Sequence, residues 1–466
     1  MFEKINSLLV FIDDLVWGIP LIVAILTVGI FLTIRLKGLQ ISKLGLALKY
    51  MVKNEDSGHG EVTSFAALCT ALSATIGTGN IVGVATAIVA GGPGALFWMW
   101  VAALFGMATK YAEGVLAVHY RTVEENGHVL GGPFYYIEKG MGSKWKWLAK
   151  LFAFFGTMVG LFGIGTFTQV NGIASAVNNF FDPLNTWTVN LFGMDYSWTV
   201  VIAGAIVALC TGLVIIGGIK RIANVAQIIV PFMVVLYVLL GLTVLIANVT
   251  KIPEALGLII TSAFGAKAVA GGALGAMIVA MQKGIARGIF SNEAGLGSAP
   301  IAAAAAQTNE PVRQGLVSMT GTFLDTIIVC SITGLTIVIS GSWNIGLNGV
   351  AVTSNAFSSA LPFGGSLVPF ILMVCLVFFA FTTILGWDYY SERCVEYLSK
   401  GSKKAVKVYR WLYILAVCIG PYMTVSAVWT IADIFNGLMA IPNIIALLAL
   451  SGVVVKLTKD YFARIK

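Results

Sequence analysis

Eleven apolar runs divide this chain of 466 residues, at 15–36, 65–90, 94–118, 151–181, 198–219, 222–249, 268–290, 316–341, 366–387, 409–430 and 433–456. Each is about 20 residues or longer, the length an α-helix needs to cross a bilayer's hydrocarbon core. Hydrophobic residues make up 58% of the chain and charged residues only 11%. A soluble globular protein carries about 25% charge, so no water-facing surface can be built here. Spans of this length read as helices, and the chain as an all-α membrane protein. The first run follows Asp13 and Asp14 rather than a basic segment, and no small-residue cleavage site follows it. It reads as a retained helix, not a signal peptide.

The net charge of +8 reflects orientation. With eleven spans, all of the 29 lysines and arginines except Lys4, Lys251 and Lys267 fall on one side. The positive-inside rule makes that side cytoplasmic, with the amino terminus outside and the carboxy terminus inside. No nucleic acid is needed to explain the charge. The six cysteines show no CxxC spacing, and His59, His119 and His128 lie in polar connections, so neither a disulfide framework nor a metal cluster is suggested.

Two apolar segments carry strings that no continuous helix favours. The second span contains Ser73-Ala74-Thr75-Ile76-Gly77-Thr78-Gly79-Asn80; the seventh runs into Phe290-Ser291-Asn292-Glu293-Ala294-Gly295-Leu296-Gly297-Ser298. Glycine is a poor helix former, and Asn and Ser compete for backbone hydrogen bonds. Gly91, Gly92, Gly156, Gly160 and Gly163 read instead as packing positions. Without the first span, ten helices remain, five in residues 65–250 and five in 251–466, and each half opens with a broken segment. Five spans per half makes the halves inverted. Residues 1–64 are then an added helix and a basic segment. Paired interruptions at matching positions mark a transporter's midplane site.

A broken helix presents N–H groups to anions and carbonyls to cations. N–H groups around Thr78, Gly79 and Asn80 are candidates for a carboxylate, and the Ser73 and Ile76 carbonyls for sodium. Thr382 and Thr383 offer two hydroxyls in the ninth span, although such a pair can bond back to its own helix. Trp387, one turn on, could wall a small pocket. The Gln169 carbonyl suits a ligand ammonium or, equally, an interhelical hydrogen bond. Among intramembrane charges, Lys110 and Glu113 are expected to pair, Lys283 and Arg287 to anchor the second break, and Glu293 to hold a half-helix end. Asp325 is the best proton-relay candidate, with a buried structural acceptor the more ordinary reading.

The strings Ala-Thr-Ile-Gly-Thr-Gly-Asn-Ile at 74–81, Gly-Gly-Pro-Gly-Ala at 91–95, Met-Ala-Thr-Lys-Tyr-Ala-Glu at 107–113, Phe-Ser-Asn-Glu-Ala-Gly-Leu-Gly-Ser-Ala-Pro-Ile-Ala at 290–302 and Leu-Gly-Trp at 385–387 closely resemble the alanine or glycine:cation symporter family of the amino acid–polyamine–organocation superfamily. The resemblance covers nearly the whole chain. It implies a leucine-transporter-type fold with one extra amino-terminal helix, in a prokaryotic plasma membrane, and sodium-driven uptake of alanine or glycine. By position, it assigns Thr78, Gly79 and Asn80 to the substrate carboxylate and Gln169 to the amino group. Phe290, Ala294, Gly297 and Trp387 would shape a small side-chain pocket. Sodium would lie among Ser73, Ile76, Phe379, Thr382 and Thr383, with Phe379 giving its carbonyl.

The expected mechanism is sodium–amino acid symport by alternating access. A proton-coupled carrier, using Asp325 or Glu293, is the alternative. A membrane-embedded enzyme lacks any catalytic cluster in the sequence, and a channel lacks a filter motif. Stereoselectivity, stoichiometry and oligomeric state leave no mark on the sequence.

Overall fold

The computed structural model describes residues 2–53, 55, 58–125, 127–191, 193–265, 272–361, 365–423 and 425–465, with the side chains of residues 2–6, 14, 273 and 425–428 left aside. Among these, seven helices are long and apolar enough to span a membrane: Gly94–His119, Ser143–Phe181, Trp198–Ile215, Gly218–Ala247, Pro311–Ser340, Leu367–Leu398 and Trp429–Arg464. The pair Ser64–Thr75 and Gly79–Gly91, bent by 51°, adds an eighth. The other three expected spans correspond to Ile19–Arg35, Ala273–Asn292 and Lys403–Ile419, which fall short of that standard of length and apolarity. The start of the expected 268–290 span, and Lys267 just before it, lie outside the described residues. An unexpected helix, Phe2–Val16, precedes the first span; Trp17, just beyond it, donates its Nε1–H to the Asp433 carbonyl at 2.6 Å. Among the described residues there are also short helices between the spans and two short hairpins, Thr122–Val123 with Val129–Leu130 and Thr188–Leu191 with Met194–Ser197.

The breaks have local causes. At the first, Ile76 leaves the helix with φ −79° and ψ 95°, and the chain resumes through a wide turn over Gly79–Gly83. At the second, Glu293, Gly295 and Gly297 have φ of +57°, +89° and +81°. A left-handed conformation at Glu293 costs about 1–2 kcal/mol, so that side chain must be held. Its Oε2 accepts from Ser298 at 2.5 Å and its Oε1 from Trp387 Nε1 at 2.8 Å. Glu113, rather than pairing with Lys110, reaches the same break: its Oε1 accepts from the Gly295 N–H at 3.2 Å and from Asn443 Nδ2 at 2.7 Å. Peptide groups freed from a helix need partners, and this one claims the carboxylate.

Candidate functional site

The two breaks meet. A Cβ placed on Gly79 would lie 3.3 Å from Ser291 Cα and 3.5 Å from the Phe290 ring, so the two segments are in close contact here. Across the first break, Gly77 faces the Leu367–Leu398 helix: a Cβ there would stand 2.5 Å from Thr383 Oγ1 and 3.0 Å from Gln169 Oε1. One turn on, Gly386 packs against Ala74 N and Ser73 Oγ.

Four of the five oxygens expected around a cation gather here. Thr382 Oγ1 and Thr383 Oγ1 each donate to the Phe379 carbonyl at 3.0 Å, and Thr383 Oγ1 also lies 3.3 Å from the Ile76 carbonyl. Back-bonding and the link between helices therefore coexist. Carbonyl and hydroxyl oxygens are the donors a small hard cation takes. Ser73 is one turn away; its hydroxyl donates to the Thr70 carbonyl at 2.8 Å.

The N–H groups at the break are less free than the sequence suggests. Gly77 N–H donates to Asn80 Oδ1 at 2.9 Å, Thr78 N–H to Gln169 Oε1 at 3.1 Å, and Asn80 N–H to the Gly77 carbonyl at 3.3 Å. Asn80 Nδ2 donates to Asp325 Oδ1 at 2.7 Å. Its side chain is thus committed to holding the break. Gln169 makes the interhelical bond, and its carbonyl keeps a second lone pair. Thr78 Oγ1 is buried without a hydrogen-bond partner among the described residues. Thr78 also lines a cavity of about 630 Å³ whose other walls include Thr168, Asn171, Ser175, Arg287 and Trp429. A buried orphan hydroxyl costs about 1–3 kcal/mol.

Phe290 stacks on Trp429 with ring centroids 5.0 Å apart. Arg287 lies over both rings and pairs with Asp433 at 3.1 and 2.9 Å. Arg287 shares its cavity with Asn178, Asn179 and Asn348, the end opposite to His128. The charge count that grouped Arg287 with the cytoplasmic residues misplaces it, because its helix enters the break from the other end. Ala294 and Gly297 find other neighbours. The Ala294 methyl meets Gly106, and Gly297 is packed on Asn443, Phe152 and Pro133. Their small size serves close packing around the second break. Trp387 is buried against Gly165 and bonded to Glu293. Asp325 accepts from Asn80, from Ser291 Oγ at 2.9 Å and from Thr326 Oγ1 at 2.7 Å, as a structural acceptor does.

At the opposite end, Arg121 gathers four carbonyls: Ala304 and Ala306 through Nη1, and His59 and Thr308 through Nη2, all at 2.5–2.7 Å. His128 bridges Glu61 at 2.9 Å and Glu396 at 3.0 Å. The Glu396 and Glu61 carboxylates hold its pKa up to about 9. A folded pKa raised above the ordinary value stabilises fully below about pH 6.5 and loses that contribution as pH rises through about 9. The melting temperature of the protein is therefore expected to fall between pH 7 and 10, and His128→Gln to flatten that dependence. Parallel curves for the two proteins would refute the bridge.

A sequence model described as the sodium:alanine symporter family matches residues 2–466. The chain belongs to this family. Within the sodium:alanine symporter family, it is 49% identical to the sodium/alanine symporter AgcS of Methanococcus maripaludis, over 98% of this chain and 97% of that one. It is 40% identical to the probable sodium/glutamine symporter GlnT of Bacillus subtilis, over 96% and 89%. Among solved structures, MhsT in complex with L-phenylalanine superimposes with a TM-score of 0.55 at 16% identity, covering 85% of this chain and 89% of that one. MhsT has the leucine-transporter fold. Membership makes the protein a multi-pass, sodium-coupled amino acid symporter. The sequence reading missed Trp429, the Arg287–Asp433 pair, Arg121 and the Thr78 hydroxyl. Asp433 had a signal: an acid at the start of an apolar run deserves a partner search.

Proposed function

We propose that the chain imports alanine, and also glycine, with sodium by alternating access. The observation that carries this reading is the Thr383 hydroxyl, poised between the Phe379 and Ile76 carbonyls. Sodium there would tie the first broken span to the Leu367–Leu398 helix, with Ser73, Phe379, Ile76 and Thr382 completing its oxygens. The substrate would sit beside it, its carboxylate at the Thr78–Gly79 end of the break and its ammonium at Gln169. Thr78 Oγ1 gains a partner when it binds. Alanine is favoured by the higher identity to AgcS than to GlnT.

The charge distribution supports placing the His128 end in the cytoplasm. The 630 Å³ cavity then opens outward, with the Phe290–Trp429 stack and the Arg287–Asp433 pair as its gate. Arg121 and the His128 bridge close the inner side. One charge crossing 100 mV supplies about 2.3 kcal/mol, and a tenfold sodium gradient about 1.4. Together, at one sodium per substrate, they support roughly a few-hundred-fold accumulation.

Uptake of labelled alanine into proteoliposomes tests the ion. A sodium gradient is expected to drive accumulation, and a proton gradient alone is not. Asp325→Asn separates the proton reading: it should keep sodium-driven accumulation if the folded protein is recovered. Uptake driven by protons without sodium, and lost in Asp325→Asn with exchange intact, would replace this proposal with proton coupling.

A further inference from the structure

We infer that the wedge between the end of the Ile19–Arg35 helix and the end of the Val425–Arg464 helix binds one anionic diacyl phospholipid through its phosphodiester headgroup. The cavity measures about 710 Å³, within the roughly 300–1,000 Å³ range of small-ligand pockets. Arg35, Lys37, Lys43 and Lys459 rim it, and no carboxylate is among its described lining residues. Its wall includes Leu36, Leu46, Val455 and Phe462. Ile34 and Ile41, beside it, are 71% and 67% exposed. Cations at a rim with hydrocarbon behind them suit a phosphodiester that carries acyl chains. A free phosphate has no use for the apolar wall.

The chain builds this rim by reversing at Lys37 and Gly38, with φ of +56° and +64°, so that Arg35, Lys37 and Lys43 surround one space. Arg35 Nη1 donates to Ser451 Oγ at 2.7 Å, which aims the guanidinium while leaving other N–H donors for phosphate oxygens. Lys43 Nζ lies 4.9 Å from the Phe462 ring centroid, where its stem covers apolar surface and its ammonium stays available. Arg464, by contrast, is already paired with Glu310 at 2.9 Å and does not line the cavity. The helix that supplies Lys459 also carries Asp433 and Trp429 toward its other end. A bound headgroup therefore fixes the base of the helix that bears the outer gate.

The test uses the full-length protein in detergent, titrated with dihexanoyl phosphatidylglycerol, dihexanoyl phosphatidylcholine or inorganic phosphate while melting temperature is followed. Phosphatidylglycerol is expected to raise it and the other two to leave it unchanged. In Lys37→Gln/Lys43→Gln/Lys459→Gln, the phosphatidylglycerol concentration needed should rise about a hundredfold, from three cations at roughly fivefold each. Lys403→Gln/Lys404→Gln/Lys407→Gln, on a different surface, should respond as the wild type does. An equal response to phosphatidylcholine, the whole shift reproduced by phosphate, or an unaltered response in the first triple variant would overturn the site. If that variant fails to fold, a photoreactive phosphatidylglycerol on the wild type decides instead. Cross-links confined to residues 34–46 and 455–465 support the assignment, and cross-links elsewhere sink it.

Discussion

Thr382→Ala/Thr383→Ala is expected to raise the sodium concentration for half-maximal alanine uptake by at least a hundredfold. The two hydroxyls converge on the Phe379 carbonyl, and Thr383 reaches across to Ile76. Removing two oxygen donors to a charged partner costs about 1.5–3 kcal/mol each, so about 3 kcal/mol is the lower bound, roughly a factor of 150. The fold should survive. Both threonines lie inside one long helix, and alanine has the highest helix propensity. Measuring initial uptake rates against sodium, with melting temperature as the control, checks this. An unchanged sodium dependence in a folded double variant would remove the cation from this position.

Gly77→Ala should be more severe, abolishing uptake beyond a hundredfold loss. The new methyl carbon would stand 2.5 Å from Thr383 Oγ1 and 3.0 Å from Gln169 Oε1. Threonine is β-branched, and its χ1 has few alternatives in a helix, so the hydroxyl cannot step aside without leaving the Ile76 carbonyl. The same methyl crowds the Gln169 oxygen that holds the Thr78 N–H. One added carbon thus occupies the point where the proposed ion and substrate positions adjoin. Gly→Ala also restricts the unfolded chain, which by itself would be stabilising, so a melting temperature preserved with uptake lost would separate the site from the scaffold. Retained uptake would show that ion and substrate meet elsewhere.

Much of this arrangement was legible in the sequence because glycine and polar side chains inside an apolar run leave few alternatives to a break. Both interruptions lie within the strings that announce them, and Thr383 reaches the Ile76 carbonyl, as the family resemblance implies. Side-chain direction was not legible. Asn80 has the chemistry to bind a carboxylate, yet its amide is spent on Gly77 and Asp325. The spacing of Lys110 and Glu113 suits a pair along one helix, but a freed peptide group on another helix takes the carboxylate. Ala294 and Gly297 are small for their own neighbours in the packed interior. Periodicity places a residue on a helix face; it does not say which of several polar groups from distant segments will reach it first.

An importer makes half of every round trip empty-handed. In this chain the oxygens that would grip the travelling ion are already occupied with one another: two hydroxyls share a single backbone acceptor one turn earlier in their own helix. Unloading then swaps one set of partners for another instead of stranding bare polar atoms in oil, so the vacant protein has no steep hill to climb before it can face outward and load again.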